Sequence, residues 1–214
     1  MILMCPSHPI ASAPVGGSVT YVSTTINEGG SDTASIAVST AAQTNGRLLL
    51  LCVTSTGQGT FTPDGSWTLS KYQPYFFGSR DTRVYQKISN NESGTYTISV
   101  PFSFWCVSLT VISDIDTTTP ISDSNSNEDF NTSYTTGSFT VPTNGMAIVF
   151  LTGSFNAEAP TLDVDLTSRL SFINSNGTPR IYIGTQSTSG AQSYTCTTAG
   201  NDSYSIIGLA VKPT

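Results

Sequence analysis

The carboxylates are the first residues whose types and spacing could do chemistry. Asp114 and Asp116 frame an isoleucine, and Asp163 and Asp165 frame a valine. On an extended strand each such pair would share a face, with about 6.5–7 Å between partners. Two carboxylates beside a cleft can act as general acid and base on a glycosidic bond. Asp114, Asp116 and Asp123 could instead converge with backbone oxygens on a calcium ion, although no EF-hand spacing exists. A solvated acidic loop accounts for the same residues and carries more weight than either. On these grounds no catalytic residue and no cofactor is assigned, and calcium is kept only as a weak candidate.

Nucleophilic chemistry finds less support. His8 is the single histidine and lies between Pro6 and Pro9. No GxSxG elbow and no glycine-rich phosphate loop occurs. The four cysteines, Cys5, Cys52, Cys106 and Cys196, form no CxxC pair, so paired-cysteine metal sites and dithiol exchange are not expected. Cys52 and Cys106 lie in apolar runs and read as small buried hydrophobes.

Aromatics offer a binding reading. Tyr72, Tyr75, Phe76 and Phe77 cluster in KYQPYFFGS, a stretch read here as a loop. Three uses stay open: plugging the end of a fold, contacting a partner protein, or stacking on a glycan.

These groups need elements to position them. Arg47–Ser55, Phe104–Ile112 and Met146–Thr152 are apolar runs suited to strands buried on both faces. Thr82–Ile88 alternates, placing Val84, Gln86 and Ile88 on one face and Arg83, Tyr85 and Lys87 on the other. Thr95–Val100 alternates too. Shorter strands are expected at Val19–Val22, Thr33–Val38, Trp67–Leu69, Leu162–Leu166, Leu170–Ile173, Arg180–Ile183, Ser193–Thr197 and Tyr204–Val211. Residues 113–138 are polar, with five acidic residues and no basic one, and read as an excursion. No helix is expected. The pattern predicts an all-β, antiparallel β-sandwich of jelly-roll or double Greek-key topology with two similar halves. Residues 1–18 would form an N-terminal arm and 19–214 a single domain, with 113–138 between the halves.

The halves echo one another. NGRLLLLCVTS at 45–55 resembles NGMAIVFLTGS at 144–154. Arg83 and Tyr85 match Arg180 and Tyr182, and CVSLTVI at 106–112 parallels SIIGLAV at 205–211.

Composition narrows the function classes. Of 214 residues, 31 are Ser and 33 Thr, and only 10% are charged, against roughly 25% in an average soluble domain. Eight basic residues under a net charge of −6 argue against a nucleic-acid partner, which needs clustered Lys and Arg. No apolar run approaches the roughly 20 residues of a membrane-spanning helix. The start of the chain lacks the positive n-region of a secretory signal.

Several of these stretches together resemble a known module. GRLLLLCVTS, then DGSWTL, TRVYQKIS, ESGTYTISV and CVSLTVISDIDTTTPIS are similar to a β-sandwich module of bacteriophage structural proteins, found in tail-fibre, receptor-binding and capsid-surface proteins. Trp67-Thr68 stands in that module's Gly-Trp-Thr place, with Ser66 replacing the glycine. Tyr85 and Lys87 match its Tyr-x-Lys strand, and Asp116–Ile121 matches its Asp-Thr-x-x-Pro-Ile signature. The resemblance covers residues 15–154 well and the remainder by element order. It implies a virion protein and no enzyme. A small free-standing sandwich fits a capsid decoration or cement protein bound to the major capsid protein, as a homo-oligomer such as a trimer. Ile2, Leu3, Met4, Pro6, Pro9 and Ile10 would form the attachment arm. The alternative is a tail-tip or tail-fibre receptor-binding protein that touches a host glycan.

Overall fold

The computed structural model describes residues 17–57, 59–74, 81–153, 160–173 and 180–214. Among them there is no helix. The first half supplies β1 (Thr20–Ala37), β2 (Leu48–Ser55), β3 (Thr62–Pro63), β4 (Thr68–Pro74), β5 (Asp81–Ile88) and β6 (Thr95–Ser113). The second supplies β7 (Ile121–Thr135), β8 (Phe139–Val141), β9 (Met146–Gly153), β10 (Thr167–Ile173), β11 (Arg180–Ser187), β12 (Gly190–Gln192) and β13 (Thr195–Val211).

Each half builds one antiparallel sheet. The orders are β1-β6-β2-β5-β4, with β3 on β6, and β10-β11-β9-β13-β7, with a β12-β8 ribbon beside the second sheet. The two orders are the same plan. β2 and β9 are central, β5 and β11 follow on one side, and β6 and β13 on the other. The sheets stack as a β-sandwich, so the all-β, antiparallel expectation is met.

The apolar runs are buried on both faces because each sheet also curls over its own outer side. β6 pairs with β2 from Trp105 to Ile112. Its earlier part, with Tyr96, Ile98 and Val100, lies over the outer faces of β2 and β5 beside Leu49, Leu51 and Tyr85. β1 follows as a ribbon, and the register slips between Ser31 and Thr33 where the ribbon turns back. β13 and β7 repeat the device, with a slip between Thr197 and Asp202. The result is a central core between the sheets and one further core inside each curl.

The curl explains why sequence alternation divided long strands. Val19–Val22 and Thr33–Val38 belong to one strand, β1, and Thr95–Val100 and Phe104–Ile112 to another, β6. Leu162–Leu166 is not a strand; Asp163 heads a turn there, its carbonyl accepting the Leu166 N–H. The match of 45–55 to 144–154 also needs correction. Leu48, Leu50 and Cys52 face the central core, as do Met146, Ile148 and Phe150. That alignment would set each against a residue of the opposite face. The Tyr85–Tyr182 match is sound, since both rings lie in the curl of their own half.

The largest correction is the excursion at 113–138. Most of it is β7, a 15-residue strand paired with β13 along the sheet edge. Asp123, Asn125, Asn127, Asp129 and Asn131 recur every second residue, and each Oδ1 accepts the N–H of the residue that follows, at 2.7–2.9 Å. These alternate amides are the set that faces away from a strand's single partner.

Candidate functional site

Both sheets finish at a common end. The Thr82 hydroxyl contacts that of Thr54 at 3.3 Å on the neighbouring strand and that of Thr152 at 2.7 Å on the opposite sheet. β2 and β9 therefore run the same way, and Ser55 and Gly153 close them at one end. The segments that join β4 to β5, β9 to β10 and β10 to β11 leave from strand ends on this side. The strand ends opposite carry tight turns, at Asn45-Gly46 and Asn144-Gly145 among others.

Tyr72 lies beside this loop-bearing end. It sits on β4, not in a loop, because the chain keeps pairing with β5 as far as Pro74 opposite Asp81. Its ring lies 4.6 Å from the Arg83 guanidinium, and that of Phe61 lies 4.9 Å from it. Arg83 also donates to the Gly59 carbonyl at 2.8 Å and meets Asp81 at 3.5 Å. The Tyr72 hydroxyl donates to Asp81 at 3.1 Å. Burial first, and then the Asp81 charge, raise the phenol's pKa, so it stays a donor. What remains free is the ring surface: Tyr72 is 38% exposed and Leu69, on the same strand, 48%. Phe104 and Phe130 are exposed as well, at 46% and 54%, where the two ribbons turn back. This arrangement can stack on or cover an apolar surface. Tyr75, Phe76 and Phe77 lie outside the described residues, as do Ile2, Leu3, Met4, Pro6, Pro9 and Ile10.

The acidic candidates are placed apart. Asp114 follows β6 with φ 60° and accepts the Ser113 hydroxyl at 2.8 Å. Asp116 caps a turn, its Oδ1 accepting the amides of Thr118 and Thr119 and its Oδ2 meeting Lys212 Nζ at 2.6 Å. That Lys212 bond, with the two amides, holds its carboxyl well below the usual range. Asp123, on β7, accepts the Thr140 amide at 2.7 Å. Asp163 accepts the amides of Asp165 and Thr195 at 3.1 and 2.8 Å. Neither Asp-x-Asp pair lies on a strand, so neither has the shared face that carboxylate catalysis would use. Among the described residues no three His, Cys, Asp or Glu side chains cluster as a metal site.

Other features were less visible in the sequence. Lys87 pairs with Glu92 at 2.9 Å and lies over the rings of Trp67 and Tyr96. Glu92 also accepts the Tyr96 hydroxyl at 2.5 Å. The shared face of Arg83, Tyr85 and Lys87, which alternation did predict, was the signal for these cation–aromatic contacts. At the opposite end a hydroxyl-lined cleft of about 380 Å³ opens between Ser18, residues 143–145 and residues 187–189. Cys52, Cys106 and Cys196 are buried free thiols, and burial pushes the Cys196 pKa up to about 11.

No family model, curated protein or solved structure matches this chain.

Proposed function

We propose that the chain is a non-enzymatic virion structural protein of a bacteriophage, a capsid decoration or cement protein that coats or stabilises the particle. The reading is supported by the work done by the residues that carry the resemblance. Trp67 and Tyr96 enclose Lys87. The Tyr85 hydroxyl donates to the Phe61 carbonyl at 2.7 Å. Asp116 ties the turn after β6 to Lys212 beyond β13. Each frames the sandwich, as suits a module that acts as a rigid block. A jelly-roll or double Greek-key lineage for the halves belongs to the same proposal, as does attachment through residues 1–18 to a major capsid protein.

A second reading has its own support. The exposed rings of Tyr72, Phe104 and Phe130 sit on the side of the loop-bearing end or at the ribbon turns, where a tail-tip protein would meet a host glycan.

Electron microscopy of the whole particle separates the two. Density for this chain at subunit junctions over the shell is the expected result. Density confined to the tail or its tip would overturn the decoration reading and leave receptor binding.

A further inference from the structure

We infer that the β7 edge is closed to strand addition by a second copy of this chain, and that its alternating Asp and Asn side chains are what close it. β7 ends its sheet, with β13 as its partner there. β7 has 15 residues; β4 and β8 approach part of it, and the rest of its edge is a ready template for another strand. Lys and Pro, the usual deterrents, are absent from Ile121–Thr135. The Asp and Asn side chains take their place.

An incoming strand needs the outward amides as donors. On β7 five of these already donate to the preceding side chain's Oδ1. A new strand must break those contacts before it gains its own, and must pass side chains that fold over the edge. The opposite faces of the strand agree with this division of labour. Ser124 and Ser126 stand opposite Leu209 and Ile207 of the central core, whereas Asn127 stands opposite Ile206 of the outer curl. The Asp and Asn residues thus share the outer face, away from the central core. Such side-chain caps compete with ladder formation.

The test leaves Asp123 and Asn125 in place, because they also hold the Thr140 amide and the Ser138 carbonyl. The triple variant Asn127→Thr, Asp129→Thr and Asn131→Thr restores open amides with residues suited to strands. Sedimentation velocity over a concentration series should show it self-associating at concentrations at least about tenfold below the parent, given the net strength of even one or two ladder hydrogen bonds. A folded variant that sediments like the parent throughout would overturn the inference. Amide exchange of the parent gives a second reading that needs no variant. The amides of Glu128, Phe130 and Thr132 should exchange about fivefold slower than open-edge amides. Exchange at the unprotected rate would equally overturn it.

Discussion

Glu92 accepts hydrogen bonds from the Tyr96 hydroxyl, Lys87 Nζ and the Asn90 amide. Burial works to raise its pKa, but these donors outweigh it and hold the carboxyl below the ordinary value of 4.5. The charged form therefore favours the folded state. Its contribution is complete above the unfolded value and fades as pH falls through the lower, folded-state pKa. Glu92→Gln should flatten the loss of stability below about pH 4.5 relative to the parent. Glu92→Ala should cost about 2 kcal/mol near neutrality, both read by urea unfolding across pH. Little of this was legible beforehand. NNESG reads as a tight turn, and nothing local says that Glu92 reaches back to β5 and β6. Tyr72 was legible as an aromatic worth naming, but its neighbours Asp81 and Arg83 come from the next strand. Only the pairing of β4 with β5 brings them together.

At the scale of elements, the curls depend on glycines that lie under rings. A Cβ on Gly208 would sit 2.4 Å from the Phe139 ring, and one on Gly29 would sit 2.4 Å from Trp105. Gly29 and Trp105 are cross-strand partners, as are Gly153 and Tyr204. Gly208→Ala should therefore force Phe139 outward and destabilise the protein by about 2 kcal/mol, measured by chemical unfolding. An unchanged midpoint would show that the ring shifts freely. Strands buried on both faces, β2 and β9, were legible because their apolar runs are uninterrupted. β1, β6 and β13 were read in pieces because each changes the core it serves where the ribbon turns back, at Gly29-Gly30, near Pro101 and near Gly200. β7 was missed because the residues it turns to the central core, Ser124 and Ser126, are small and polar. Its period of two lies in Asp and Asn rather than in hydrophobicity.

For the whole molecule, the repeated plan was legible, while its register was not. One residue of offset exchanges the faces of a strand, and an eight-residue apolar run holds too few polar marks to fix it. The two sheets meet through apolar packing and, at the loop-bearing end, through the Thr82–Thr152 contact. Thr82→Val and Thr152→Val should each cost about 1 kcal/mol and couple by a similar amount in a double-mutant cycle. Zero coupling would mean that the hydroxyls do not join the sheets.

The parallel course of β2 and β9 has a practical consequence. It sends the exits of several strands to one end, while the other end is held by short turns and the Asp116–Lys212 tie. Lengthening a connecting segment costs only with the logarithm of its length when its ends are already fixed. The chain is thus a scaffold with one writable end, where Ser55 and Pro74 of one sheet and Gly153 of the other leave side by side.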